Sequence, residues 1–234
     1  MRLLVDQIYI INLRCDVRRK EHMIDLFQKH GLDRLSVNPY LIFDAIDWRH
    51  RDTPGRFQAP PAAYGCLMSH LACIRGGMDK GHEAIMIMED DTIIHKRFWD
   101  LLGSVQIPDD WEILYLSGSQ MDWRGIDLQD ARCKGFYRAR KTLGGTCYIL
   151  RGSAIMQRVL DLATELEKPI DEVLVRMQQT HVAYVIFPNL FMNYMNESHI
   201  RSNNAKWKIE TMGRQVFRWN PDDYDMESCV LISR

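Results

Sequence analysis

The sequence predicts an α/β fold, a mostly parallel sheet flanked by helices, and three observations carry that prediction. Short apolar runs of strand character alternate along the chain with segments of helical spacing. The first three, "QIYIINL", "DVRRKEHMIDLFQKHG" and "VNPYLIFDAI", already spell β-α-β. A chain of 234 residues, 46% hydrophobic and 26% charged, also has enough apolar material for a sheet covered on both faces. The whole of 1–234 reads as one domain, with a core at about 7–200 and an irregular C-terminal segment at about 201–234.

Each element has its own justification. "QIYIINL" is a β-rich apolar run. The next segment places Met23, Leu26 and Phe27 at helical spacing and stops on Gly31. "VNPYLIFDAI" reads as a second strand, and "RHRDTPGRFQAPPAAYG" as a loop because proline, glycine and charge crowd it. "CLMSHLACIRGGMDKG" has helical periodicity and closes on glycine. "EAIMIM" and "WEILYLS" are strand-like, separated by a helix around "RFWDLLGSV". The strand "GTCYILR", the helices "SAIMQRVLDLATEL" and "PIDEVLVRMQQ", and the strand "VAYVIF" complete the series.

Composition excludes several classes. Thirty basic against 31 acidic residues leave a net charge of -1, with no bulk attraction to nucleic acid or to an anionic membrane. The N-terminal "MRLLVDQIYIINL" is too short to span a bilayer, is interrupted by Asp6 and Gln7, and lacks a small-residue cleavage site. The expectation is a cytoplasmic chain without an integral membrane segment, meeting a membrane only peripherally. Six cysteines with no C-x-x-C pair predict buried, reduced thiols and no structural zinc.

The chemistry concentrates in "AIMIMEDDTIIHKRF", where Glu89, Asp90 and Asp91 follow directly on an apolar strand. At the carboxyl end of a central strand they lie on the edge where open α/β sheets bind ligands. Adjacent carboxylates repel, and burying them costs several kcal/mol in order of magnitude unless a cation compensates. Oxygen ligands suit Mn²⁺ or Mg²⁺. A solvated acidic turn, or a cap on the next helix aided by Thr92, accounts for the same residues.

Six blocks in order, "IYIINL" with Arg18 and Arg19, "YGCLMSH", "IMIMEDD", "WEILYLSG", "GTCYILRGSA" and "PIDE", resemble glycosyltransferase family 25 over roughly residues 7–200. The family includes lipooligosaccharide galactosyltransferases and collagen galactosyltransferase domains, and "PIDEVL" is similar to the collagen-type branch. The resemblance implies a GT-A-type nucleotide-sugar-binding fold, a UDP-sugar donor, a glycan, lipid-linked glycan or protein acceptor, and a divalent metal at the acidic motif. It also implies inversion at the anomeric carbon and galactose as the sugar.

The resemblance and the local residues together nominate the site. Glu89, Asp90 and Asp91 stand as metal ligands, with His199 in "ESHIRSN" either completing the sphere or lying in a surface loop. Asp171, in the first turn of a helix begun by Pro169, is the candidate general base. The helix dipole explains an acid there equally well, and Glu172 is the alternative. Arg14, Arg18 and Arg19, after the first strand, can pair with phosphate or belong to a solvated helix face. Asn12 can reach base or ribose, or satisfy buried backbone. Gly65, Ser69 and His70 are candidate pocket residues, although a core histidine packed by its hydrogen bond would look the same. Gly144 and Gly145, in Leu143–Thr146, would admit backbone close to the donor sugar. Two other classes stay open: a nucleotide-sugar-binding module without catalysis, and a metal-dependent phosphohydrolase, for which no second acid-histidine cluster is seen.

Overall fold

A computed structural model describes residues 3–193 and 218–226. The β-α-β start is present. Strand β1 (Gln7–Asn12) is buried at every position, helix α1 (Val17–His30) follows it, and strand β2 (Leu41–Asp44) pairs parallel to β1. Helix α2 (Pro61–Asp79) then leads to β3 (Ala84–Glu89), parallel to β1 on its other side. The remaining elements are β4 (Thr92–Ile94), α3 (Phe98–Ser104), β5 (Ile113–Gln120), α4 (Leu128–Lys134), β6 (Phe136–Arg138), β7 (Thr142–Arg151), α5 (Ser153–Leu166), α6 (Ile170–Met177), β8 (Ala183–Ile186) and β9 (Phe191–Asn193).

Seven strands form the central sheet in the order β2-β1-β3-β7-β5-β8-β6, and β4 pairs with β9 in a small second sheet. The central sheet is mostly parallel: β7 and β6 oppose the direction shared by the other five. Strand β7 is where the structure departs from the simple alternation. It begins at Thr142, three residues before the expected start at Gly145, and it runs antiparallel to both neighbours. The connection from β5 to β7 holds the short α4 and then β6, which pairs beside β8 at the edge of the sheet, in place of the single crossover helix of a parallel return.

The two-residue period of the strands sorts the core into two layers. Tyr9, Ile11, Ile85, Ile87, Tyr148 and Leu150 face α2, α5 and α6. Ile8, Ile10, Met86, Met88, Cys147 and Ile149 face α1 and α3. Carried one step past Met88, the same alternation sends Glu89 toward α2 and Asp90 toward α1. The described C-terminal residues strap the small sheet: Asp225 N–H donates to Ile94 O at 2.9 Å, and the Tyr224 hydroxyl to Asn189 O at 2.8 Å.

The cysteine expectation needs correction. Cys73 and Cys147 are buried free thiols, but Cys66 is only half-buried, and Cys15 and Cys133 are exposed because each lies beside a turn or on the outer face of a short helix. Among the described residues no helix is long and apolar enough to cross a membrane.

Candidate active site

Helices α1 and α2 leave the sheet on opposite faces, which opens a crevice outside the carboxyl ends of β1 and β3. A cleft of about 100 Å³ lies there, lined by Leu13, Asp16, Ile46, Trp48, Cys66 and the three acids, among others. Its far wall depends on a close approach between α2 and the segment after β2. A Cβ on Gly65 would sit 2.7 Å from Ile46 O and 3.0 Å from the Trp48 side chain, so only glycine lets the segment lie this close. Ser69, one turn on, fastens the same contact: its hydroxyl donates to Gly65 O at 2.7 Å and accepts from Ile46 N–H at 2.8 Å. Gly65 and Ser69 therefore shape the cleft by holding backbone.

The three acids have three environments. Asp90 is the paired one. Its Oδ1 accepts from the Arg19 guanidinium at 3.0 Å and its Oδ2 from Asn12 Nδ2 at 2.7 Å, and Asn12 Nδ2 also reaches Asp16 O at 3.1 Å. Burial pushes the Asp90 carboxyl above its usual range, and Arg19 and Asn12 offset part of that. The sequence reading gave Asn12 and Arg19 to the nucleotide. The geometry instead turns the polar groups of both toward Asp90, because both are buried where charge must be matched. Arg14 and Arg18 are exposed on the α1 side of the crevice, outside that role.

Glu89 faces α2, where Cys66 Sγ lies 3.6 Å and His70 Nε2 3.4 Å from its Oε1. Burial acts to raise this carboxyl, but His70, Cys66 and the Arg19 charge outweigh it and hold it below the usual range. The ring of His70 is fully buried and stacked near Tyr148, whose hydroxyl lies 3.0 Å from Nδ1. Burial keeps the Tyr148 phenol protonated. The hydroxyl can donate to Nδ1 or accept from it, so the pair is compatible with either neutral tautomer of His70. Asp91 is the third case. It is buried, its Oδ1 has no hydrogen-bond partner, and its carboxyl is pushed up to about 8 by burial first and then by Glu89 and Asp90.

Strand β7 brings in a fourth carboxylate. Pairing between β5 and β7 is irregular from Cys147 to Leu143, and the distortion turns Gly145 toward α6. A Cβ there would lie 3.0 Å from Asp171 Oδ1 and 3.1 Å from Glu89 Oε1, so both oxygens border the same small space. Asp171 is half-buried in the first turn of α6, which Pro169 precedes, whereas Glu172 points to solvent. Gly144 faces the other way, where a Cβ would meet Ser117 O at 2.7 Å. Of the two glycines, Gly145 borders the acids and Gly144 packs the sheet.

The structure thus brings Asn12, Arg19, Gly65, Ser69, His70, Glu89, Asp90, Asp91, Gly145 and Asp171 around one crevice, and sets Gly144 outside it. His199 lies outside the described residues. Sequence reasoning missed Cys66, Asp16 and Trp48, which line the cleft, and Tyr148, which holds His70. Cys66 carried a signal: it lies four residues before His70, on the same face of a helix. Asp16 and Trp48 sit in connections whose path no periodicity reveals.

Comparison with known proteins gives the family. The sequence matches the model described as glycosyltransferase family 25 (LPS biosynthesis protein) over residues 5–174. No curated protein matches it. Among solved structures the chain is similar to A197 from STIV, at 10% identity and a TM-score of 0.41 over 77% of this chain and 81% of that one. It is similar also to a mannose-1-phosphate geranyltransferase from Thermus thermophilus, at 10% identity and a TM-score of 0.38 over 79% and 73%. A glycosyltransferase involved in the glycosylation of the major capsid of PBCV-1 is similar at 8% identity and a TM-score of 0.38 over 68% and 66%. The assignment rests on the family match, which runs from before β1 into α6 and takes in every acid of the crevice: the chain belongs to glycosyltransferase family 25.

Proposed function

We propose that this glycosyltransferase moves a hexose, galactose by family likeness, from a UDP-sugar to a hydroxyl of a glycan, lipid-linked glycan or protein acceptor, with inversion and with a divalent cation at the acids, on a GT-A-type fold. One observation carries the reading: Glu89, Asp91 and Asp171 converge on one crevice in which Arg19 is committed to Asp90.

The residues fit a cation. Asp91 presents a buried oxygen without a hydrogen-bond partner and Glu89 lies beside it, a hard oxygen set of the kind Mn²⁺ or Mg²⁺ takes. Asp91 and Glu89 would hold the ion, and Asp90 would brace the turn through Arg19 and Asn12. When bound, such an ion supplies Lewis-acid stabilisation of charge on a departing diphosphate. The chain's own residues supply the rest. Trp48, which lines the cleft, would offer an aromatic face to the base, and Arg14 and Arg18, exposed after β1, would pair with phosphate. Asp171 accepts the proton of the acceptor hydroxyl as its oxygen bonds to the anomeric carbon. The bond from that carbon to the diphosphate breaks on the opposite face, and the nucleoside diphosphate leaves with its electron pair. A placed carboxylate base contributes about 10² to 10⁴ in rate.

UDP release from a panel of UDP-sugars, without acceptor and with or without Mn²⁺, tests the reading. Slow, Mn²⁺-dependent hydrolysis of one donor is expected. Cleavage of phosphate monoesters instead, or donor binding with no turnover even when acceptors are supplied, would overturn it.

A further inference from the structure

Between α2 and β3 the crevice holds a second set of ligand atoms, of softer chemistry. Cys66 Sγ, a ring nitrogen of His70 and a carboxylate oxygen of Glu89 all lie within 4.8 Å of one another. Glu89 Oε1 is 3.6 Å from the sulfur and 3.4 Å from Nε2. An ion held tetrahedrally, with bonds of about 2.0 Å to nitrogen and oxygen and about 2.3 Å to sulfur, keeps its ligands roughly 3.3 to 3.6 Å apart. Two of the three separations already match.

A second observation points to a ligand. His70 is fully buried, yet its Nε2 has no hydrogen-bond partner, although Glu89 Oε1 lies 3.4 Å away. The 3.4 Å gap exceeds a good N–H···O bond, about 2.9 Å, by the amount expected if the two atoms are spaced to share a third. The other ring nitrogen is anchored by the Tyr148 hydroxyl at 3.0 Å, the kind of outer partner that fixes a metal-binding imidazole.

We propose that Cys66, His70 and Glu89 form a binding site for a thiophilic divalent cation, Zn²⁺ in the first place, with the cleft side open as the fourth position. The donor set of one sulfur, one nitrogen and one oxygen distinguishes it from the all-oxygen set around Asp91, since thiolate and imidazole select zinc where carboxylates alone select Mn²⁺ or Mg²⁺. The neighbouring Asp91 and Asp171 add the negative potential that draws a divalent ion in. Burial first, then Glu89, Asp171 and Asp91, hold the free thiol protonated, so its proton passes to solvent as the sulfur–metal bond forms. The site shares Glu89 with the cation-binding pair proposed for the transfer reaction, and its test is kept distinct by reading sulfur–metal bonding and not turnover.

The test uses the full chain stripped of metal by a chelator, with Co²⁺ as the spectroscopic probe and Zn²⁺ as the competitor. The wild type should take up one equivalent of Co²⁺ with a thiolate-to-metal charge-transfer band, and one equivalent of Zn²⁺ should erase it. Cys66→Ser, checked for folding by circular dichroism, should lose the band. It should also bind Zn²⁺ at least about 100-fold more weakly, since losing even an outer partner costs 10- to 100-fold. Cys133→Ser, which changes an exposed thiol, should bind like the wild type. Zn²⁺ should also slow alkylation of Cys66 in the wild type, read by mass spectrometry, a measurement that needs no variant. A wild type without the sulfur band, a folded Cys66→Ser that keeps it, or Cys66 alkylated equally fast with and without Zn²⁺ would each overturn the proposal.

Discussion

Replacing Gly145 by Ala puts a methyl group into the space between the acids. The backbone tolerates it, because Gly145 lies in extended strand β7, and alanine there reduces the freedom of the unfolded chain by up to about 1 kcal/mol. The new Cβ would stand 3.0 Å from Asp171 Oδ1, 3.1 Å from Glu89 Oε1 and 3.3 Å from Ile170 Cγ2. Real contacts are wider, so both carboxylates must give way by a few tenths of an ångström, which side-chain torsions allow. Stability should therefore hold within about 1 kcal/mol. Catalysis should not hold, since a 1 Å misplacement costs on the order of 10² in rate, and two displaced groups put the expected loss in kcat at about 10- to 100-fold. Gly144→Ala is the comparison: its Cβ would meet Ser117 O, a backbone atom, at 2.7 Å, and this overpacking should destabilise the fold by about 1 to 3 kcal/mol. Thermal melts and donor-plus-acceptor kinetics on both variants check the pair. A fully active Gly145→Ala would refute the idea that Glu89 and Asp171 work across that space.

Asp171→Asn should lower kcat by about 10² or more with UDP-sugar binding close to wild type, measured by titration calorimetry and acceptor-dependent kinetics. Loss of thermal stability with unchanged turnover would make it a helix-dipole residue. Arg19→Ala leaves Asp90 buried without its cation and should cost about 3 to 5 kcal/mol by denaturant unfolding. Arg18→Ala, at an exposed position, should leave stability unchanged and raise the donor KM. Asp91 also gives a pH signature. Its folded carboxyl, near 8, lies above the ordinary carboxylate value, so between about pH 4 and 8 the folded state binds more protons than the unfolded one, and the metal-free protein should lose stability as pH rises through that window. Asp90 shifts in the same direction. Melts in chelator at several pH values, with and without Mn²⁺, check this; Asp91→Asn should flatten the trend, and a metal-free protein that gains stability across the window would contradict it.

Most of the fold was legible because it is written in local periodicity. The continuous apolar runs in "QIYIINL" and "AIMIM" give buried strands, and the spacing of Met23, Leu26 and Phe27 gives α1. The reversed course of β7 was not, since strand direction depends on the path of the connection, which here runs through α4 and the edge strand β6. The site divides in the same way. Glu89, Asp90 and Asp91 were visible as a triplet, and Asp171 through the helix start at Pro169. Their division of labour was hidden. That Arg19 and Asn12 belong to Asp90 follows from contacts spanning more than seventy residues, and the part of Gly145 follows from a strand irregularity that leaves no mark on composition.

The same strand alternation explains why three consecutive acids can follow a buried strand at all. A run of like charges on one face would repel without relief, but the pleat separates Glu89 from Asp90 and hands each to a different helix. Helix α1 meets Asp90 with a guanidinium, and α2 meets Glu89 with an imidazole and a thiol. Asp91 comes after the strand has ended, and its carboxyl is raised by burial first and then by Glu89 and Asp90, which the Arg19 charge offsets only in part. The turn is already tied down independently, by Thr92 Oγ1 donating to Glu89 O at 2.7 Å and by His22 Nε2 lying 2.8 Å from Thr92 O. A cation arriving at Asp91 would thus meet a carboxylate whose backbone is fixed in advance, and little ordering cost would oppose its binding. Thr92→Val, which removes the side-chain tie while keeping the shape, should on this argument weaken Mn²⁺ binding by several-fold while leaving every carboxylate in place. Calorimetric titration of the folded variant checks it, and unchanged affinity would mean that the strand and its two helices hold the turn without that tie.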